Sequence, residues 1–396
     1  MKILLVSQRY WPENFRITDI AETLVTLGHD VTVLTGLPNY PKGYIFDGYK
    51  NGENRVQEHN GVKIIRANEI ERRNNIVFRF LNYYSFPFYA NKIVKKLDKD
   101  FDVVLINELS PIMGAEPGLL YKKLHGTRVV MYEMDLWPES LLAGGIKKDS
   151  FLYNYYKKVS GNIYSQCDKI LVSTKEHIEY INSLPKCSEL DIEYLPQYAE
   201  SVFEESDYGT IDNGVIDLMF AGNIGKAQSV DTIIKAANIL KDDPRFMFHI
   251  VGAGSELDIC KRLAEELDVK NVKFYGNRPL SEMPEMYALA DVMLVTLEDK
   301  PYANMTIPGK VQSYMAVGKP IIGAINGSCS NFIINNMVGY SVGSEDYEAL
   351  AKTISCLNNE ALIVLGNSNK KTYHKKYSKS KFFNTILLEL EGEHVC

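Results

Sequence analysis

Tryptophan and cysteine are scarce in this chain of 396 residues, which carries 2 of the first and 6 of the second. The cysteines (Cys167, Cys187, Cys260, Cys329, Cys356 and Cys396) stand far apart, with no C-x-x-C and no histidine pair beside them. That spacing argues against a disulfide-stapled scaffold and a structural zinc, and for reduced thiols in the cytosol. Also missing is any run of about 18 consecutive apolar residues, the length a membrane-spanning helix needs. The opening stretch Ile3-Leu4-Leu5-Val6 meets Ser7-Gln8-Arg9 too soon to be the apolar region of a signal peptide, and reads as a buried first strand. Basic charge is in deficit: 44 Lys plus Arg face 50 Asp plus Glu, a formal net charge of -6. A nucleic-acid binder held by a global basic field is excluded, although local basic patches are not. The 7 histidines form no H-E-x-x-H, and neither a Walker A lysine nor a G-x-S-x-G is present. Asp98-Lys99-Asp100-Phe101-Asp102 has the letters of a metal-binding D-x-D but precedes a strand, so a solvated loop is the better reading and no metal site is expected.

What is present is an ordinary globular composition, 45% hydrophobic and 24% charged, at a length suited to about two or three domains. Apolar runs alternate with segments of helical period, the pattern of parallel sheets covered on both faces. Strands are expected at 2–7, 30–35, 62–67, 102–107, 127–133 and 168–173. A second series starts afresh at 216–221, 246–252, 271–275, 291–297 and 319–324. The fold class is thus α/β, with two Rossmann-like, doubly wound parallel-sheet domains facing a central cleft. The expected division is 1–197, a first domain; 198–370, a second domain; and 371–396, a terminal helix crossing back to the first. An acidic, Gly/Asp-rich stretch at 204–213 follows the boundary.

In such sheets ligands bind beyond the carboxyl ends of the strands, so the residues that follow each strand carry the search. Gly222-Asn223-Ile224-Gly225-Lys226-Ala227-Gln228 offers two glycines, a helix expected to begin near Gln228, and the mobile ammonium of Lys226. It reads as a diphosphate cradle or as a plain tight turn. Pro308-Gly309-Lys310 opens another helix and suits an anion or simple capping. Val251-Gly252-Ala253-Gly254 lacks the third glycine of the dinucleotide fingerprint, which disfavours NAD but allows a nucleotide close to the backbone. After the first strand, Asn14 could bond a sugar hydroxyl and Arg16 could reach across the cleft to a phosphate, or be a surface arginine. Glu133 and Asp135 follow another strand, as carboxylates for acid/base work or, for Asp135, as a helix cap. The stretch 72–96 mixes Phe78, Phe80, Tyr83, Tyr84, Phe86, Phe88 and Tyr89 with Arg72, Arg73, Lys92, Lys95 and Lys96. It is either a membrane-facing element or an aromatic helix packed on its own domain.

The strings SQRYWPENFRITDIAETLVTLGHDVTVLTGLPNYPKG, EMDLWPES, AGNIGKAQ, VGAGSE, VKFYGN and TIPGKVQSYMAVGKPII resemble the family 4 retaining glycosyltransferases. The likeness is strongest to a branch similar to N-acetylfucosaminyltransferases of O-antigen and capsule clusters. The resemblance implies a GT-B fold, a UDP-sugar donor held by the second domain, a lipid-linked acceptor, retention of configuration and no metal. It places Gly222, Asn223, Gly225, Lys226 and Gln228 around the donor diphosphate, with Pro308, Gly309 and Lys310 at the helix that receives it. Tyr275, Gly276, Asn277 and Arg278 fall near the base. Gly252 and Gly254 belong to the same loop cluster. Two departures stand out. The paired glutamates of many members are Met305 and Ser313 here, and Asn223 and Gln228 replace the usual Arg and Lys of the phosphate turn.

The expected activity is transfer of a sugar, an N-acetylated amino or deoxyamino sugar, from UDP to a polyprenyl-diphosphate-linked saccharide at the cytoplasmic face of the membrane. Lys226, Arg16, Asp135 and Glu133 are the catalytic candidates, and no cofactor beyond the UDP-sugar is expected. The alternatives are a UDP-sugar hydrolase or 2-epimerase, and a catalytically silent nucleotide-sugar-binding partner, which the absent glutamate pair favours.

Overall fold

The computed structural model describes residues 1–73, 76–204 and 214–392. Asn74, Asn75, the stretch 205–213, His394 and Cys396 lie outside the described residues. The chain divides into two compact units, Met1–Leu195 with Ile386–Cys396, and Pro196–Thr385. The division thus falls at Pro196, and the last segment joins unit 1 only from Ile386, inside the helix Lys379–Glu391, rather than from residue 371.

Unit 1 is built on eight strands: β1 (Lys2–Val6), β2 (Asp30–Thr35), β3 (Val56–His59), β4 (Val62–Arg66), β5 (Val103–Glu108), β6 (Arg128–Glu133), β7 (Lys169–Val172) and β8 (Ile192–Tyr194). Their order is β3-β4-β2-β1-β5-β6-β7-β8, parallel throughout except for the antiparallel β3–β4 pair. Unit 2 holds β9 (Ile216–Ala221), β10 (Phe246–Val251), β11 (Val272–Gly276), β12 (Val292–Thr296), β13 (Ile321–Ala324) and β14 (Gly339–Val342). These form a second sheet, all parallel, in the order β11-β10-β9-β12-β13-β14.

The central strands read as unbroken apolar runs because both of their faces are covered. In β9, Leu218 and Phe220 join the core layer with Ile233, Ile234 and Leu350, while Met219 and Ala221 join the opposite layer with Val311, Tyr314 and Ile333. Each fully buried aliphatic or aromatic side chain contributes roughly 1.5–3 kcal/mol. A single-residue slip would exchange the two faces, so the register is strongly fixed.

In each sheet the order reverses beside the first strand of the unit. Chain connections leave β1 towards β2 on one side and β5 on the other, and leave β9 towards β10 and β12. These reversals are the crevices where ligands bind in open α/β sheets.

Candidate functional site

At the reversal point of unit 2, the turns after β9, β10 and β11 are stacked backbone on backbone. The Gly222 N–H donates to Val251 O (2.9 Å), the Ile224 N–H to Ala253 O (2.8 Å) and the Gly252 N–H to Gly276 O (2.8 Å). A Cβ on Gly252, whose φ is +140°, would stand 1.8 Å from Gly222 O, and one on Gly254 would stand 2.2 Å from Ile224 O. These glycines are therefore required by loop-to-loop contact. Of the two glycines expected to bring backbone N–H groups to an anion, Gly222 and Gly225, the first has its donor already used, as has Gly252.

The cation of this site comes from the other side of the reversal point. Pro308 and Gly309 lead into the helix Lys310–Ala316, which is pinned to β9 through Tyr314. That buried phenol accepts from the Ala221 N–H (3.2 Å) and donates to Ala221 O (3.1 Å). One helical turn before it, the Lys310 ammonium lies 3.8 Å above the Phe220 ring and within 2.7 Å of where a Gly222 Cβ would be. Gly222 has φ +144°, and its missing side chain leaves this ammonium room. Desolvation lowers the Lys310 pKa from its ordinary 10.5 to about 7, opposed only by the neighbouring Cys329. An ammonium so destabilised by dehydration is strongly rewarded by an anion.

The remaining candidates of unit 2 are placed as follows. Lys226 is exposed and opens a short 3₁₀ turn, Lys226–Gln228; the α-helix begins only at Asp231, which corrects the expected start near Gln228. Between them Ser229 takes a left-handed φ of 44°, which breaks the helical path. Asn223 Nδ2 donates to Gln228 Oε1 across Gly225 (3.1 Å), so the two residues that replace Arg and Lys bond to each other. Asn277 is exposed, and Arg278 is paired with Glu282 (3.3 Å) on the surface. Ser313 is buried and donates to Glu200 Oε2 (2.8 Å). A carboxylate thus stands beside position 313 after all, supplied by a residue far away in the chain that spacing could not reveal.

A cavity of about 510 Å³ opens off the same turn between the helices Asp231–Ile239 and Leu257–Glu266. Asp231, Glu256, Glu266, Glu298 and Glu345 line it together with Lys226, Lys235 and Arg262, so its wall carries both signs. On the other side of the turn stands the Lys310 ammonium.

In unit 1, Asn14 is exposed and Arg16 is the first residue of the helix Arg16–Thr26. Glu133 is not at the site. It ends β6 with no exposure, and its Oε2 meets His177 Nδ1 at 2.8 Å; the expectation of a cleft-facing acid is corrected, because residue 133 still belongs to a strand covered on both faces. Its cross-strand neighbour Glu108 is likewise buried, and desolvation plus the charge of Glu133 push the Glu108 carboxyl well up. Asp135 is half-buried and accepts from the Ser110 N–H (3.0 Å), so it ties the loop after β6 to the loop after β5 and is not a helix cap. The D-x-D letters are structural: Asp100 and Asp102 both bond Lys2 at the start of the interior strand β1. Among the described residues no group of three or more His, Cys, Asp or Glu is arranged to hold a metal ion.

Sequence reasoning missed the polar network beneath the loop after β1. Arg9 Nη1 reaches Glu69 at 3.0 Å and Glu13 at 3.5 Å. Glu69 also accepts from Gln8 (3.2 Å), Asn82 (3.3 Å) and Asn39. Burial pushes the Glu69 carboxyl up, and Arg9 pulls it down. Arg9 lies in the loop after β1, past Ser7 and Gln8, so the rule that flagged Arg16 also applied to it.

Residues 203–381 match the model of the family Glycosyl transferases group 1. The probable glycosyltransferase WbjE of Pseudomonas aeruginosa is 27% identical over 285 residues, covering 68% of this chain and 70% of its own. The putative colanic acid biosynthesis glycosyl transferase WcaI of Escherichia coli (strain K12) is 23% identical over 350 residues, 80% of this chain and 82% of its own. Among solved structures, Anabaena Alr3699/HepE in complex with UDP superposes with a TM-score of 0.74 at 14% identity, covering 99% of this chain and 100% of that one. Sucrose-phosphate synthase from Thermosynechococcus elongatus gives 0.74 at 15% identity and 98% of each chain. The fold is GT-B, two parallel-sheet Rossmann-like domains. Among the described residues no helix is long and apolar enough to cross a membrane.

Proposed function

We propose that this chain is a retaining glycosyltransferase of surface polysaccharide assembly. It takes an N-acetylated amino or deoxyamino sugar from UDP and passes it to a lipid-linked saccharide, without a metal, at the cytoplasmic face of the membrane. The observation that carries the reading is the dehydrated Lys310 ammonium over Phe220, at the reversal point of a sheet in the part of the chain that matches the group 1 glycosyl transferases. Breaking the glycosidic bond leaves charge on UDP, and a preorganised cation in a dry setting stabilises that charge as it develops. Lys226, on the exposed turn, supplies a second and mobile ammonium, and Arg16 is the candidate of unit 1 for the same work. Glu200, held by Ser313, gives a carboxylate able to accept from ribose hydroxyls, while Gly222, Gly252 and Gly254 allow the donor close to the backbone. Asn277 and Arg278 are the candidates for contact with the base.

Thermal-shift and calorimetric titration of the protein with UDP, GDP, dTDP and ADP, each with and without EDTA, tests this. Selective stabilisation by UDP that EDTA does not alter is the expected result. A dependence on metal would overturn the metal-free part. UDP stabilisation without sugar transfer to any lipid-linked acceptor would favour a silent nucleotide-sugar-binding partner, the reading that Met305 and Ser313 suggest.

A further inference from the structure

Unit 1 contains a second basic site that none of the roles above uses. A cavity of about 280 Å³ lies between the helix Ile76–Val94 and the loops that follow β5 and β6. Arg72 and Arg79 line it, with Phe80, Tyr83 and Trp137 as aromatic walls and Ser110 at the strand ends. Trp137 Nε1 donates to Ser110 Oγ (2.9 Å), which fixes that wall.

The two guanidiniums are not neutralised. Among the described residues neither has an ion-pair or hydrogen-bond partner, and Arg79 Nε is buried with none. Arg72 has only the Tyr40 ring, 5.9 Å from its guanidinium carbon. Burial disfavours its charge, Tyr83 and Tyr40 offset part of this, and the neighbouring charges of Arg9 and Arg79 disfavour it further. Two like charges partly out of water, with unused donors, call for a polyanion that can accept from both forks.

Beside the cavity the same helix carries an apolar stripe in open solvent. Val77, Leu81, Tyr84 and Phe88 are all exposed, Phe88 by 56%, and their spacing puts them on one face. Tyr84 OH meets Tyr156 OH at 2.8 Å, which brings the helix Phe151–Tyr164 alongside, with Phe151 89% exposed and Tyr155 also outward. Lys92 caps the stripe, its ammonium 4.2 Å from the Phe88 ring centre. An anion-demanding cavity that adjoins an exposed apolar face fits an amphiphile with a phosphorylated head.

We infer that the Arg72–Arg79 cavity binds the diphosphate of a polyprenyl-linked substrate, whose hydrocarbon chain lies along the Val77–Phe88 stripe. The cavity stands just below the usual range of small-molecule pockets, about 300–1,000 Å³, so it takes the head and leaves the chain outside. Read with the proposed activity, on which the acceptor role rests, this is the grip on the acceptor lipid.

The test titrates the full chain with farnesyl diphosphate, farnesol, inorganic pyrophosphate and UDP, followed by calorimetry and by tryptophan fluorescence. The wild type is expected to bind farnesyl diphosphate more tightly than pyrophosphate or farnesol. Arg72→Gln with Arg79→Gln should weaken it by about tenfold or more, the loss expected from hydrogen bonds to a charged group. UDP affinity should be unchanged in that variant. Should the double variant fail to fold, Arg79→Lys serves: it keeps the charge and loses the fork, and is expected to weaken binding less. Undiminished farnesyl diphosphate binding in the folded variants would overturn the site. Pyrophosphate binding as tight as farnesyl diphosphate would overturn the lipid assignment in favour of a free anion. Farnesyl diphosphate binding by a wild type that ignores UDP would support this site while sinking the UDP reading.

Discussion

Lys310 concentrates the chemistry of unit 2 in one group. Its pKa in the folded chain, about 7, lies below its ordinary 10.5. Between those values the unfolded chain holds a proton that the folded chain has released, so stability rises with pH across that window and is lost as pH falls towards 7. A bound diphosphate reverses the preference and favours the charged ammonium. UDP binding is therefore expected to take up a proton and to weaken as pH rises from 7 to 9. Lys310→Met should lower UDP affinity by about tenfold or more and flatten that pH slope, without lowering the stability of the empty protein, since a dehydrated charge is removed. Calorimetry at three pH values in buffers of different ionisation heat reads all of this, and parallel slopes in the two proteins would take Lys310 out of the site. Lys310 and Gly222 were legible in the sequence because each follows a strand or opens a helix. Which way Glu133 points was not, since adjacency to a strand end says nothing about its side. Nor were the pairs Arg9–Glu69 and Ser313–Glu200, which lie 60 and 113 positions apart.

Among the elements, the buried parallel strands were the most readable, for their apolar runs leave little doubt about period. The strands β3 and β14 escaped notice for the opposite reason. Both are short and neither carries a fully buried residue, so no apolar pattern marks them. The aromatic helix Ile76–Val94 was legible as a helix, but not its facing. Phe78 lies under the Arg73 guanidinium (4.4 Å) and Phe80 lines a cavity, so neither is the outward group that the sequence suggested. The outward face belongs to Leu81, Tyr84 and Phe88. Replacing these three by serine is expected to abolish flotation of the protein with anionic vesicles while circular dichroism stays native. Unchanged flotation would show that this face does not meet lipid.

At the scale of the whole molecule, the restart of the strand series at residue 216 made two domains legible, and the structure adds how the first is closed. Arg128 Nε donates to Glu389 O (3.3 Å), and the Glu389 carboxylate lies 3.2 Å from Lys169, whose side chain is only 4% exposed and also meets Asp191 and Glu193. Ile386 and Leu390 are buried. A chain ending at Thr385 is expected to lose roughly 3–6 kcal/mol from unit 1, the burial of two aliphatic side chains. Faster hydrogen exchange in β6 and β7, with β9 to β13 unaffected, would be the measurement; equal protection in both chains would contradict it.

The same feature imposes an order on biosynthesis. Strands β1 to β8 leave the ribosome without the residues that cover Lys169 and Arg128, and all of Pro196–Thr385 must be translated before those arrive. At about 5–20 residues per second the wait is roughly 10–40 s. During it the second unit can fold before the first is finished, so the nascent first unit is the part of this protein that waits longest for its last contacts.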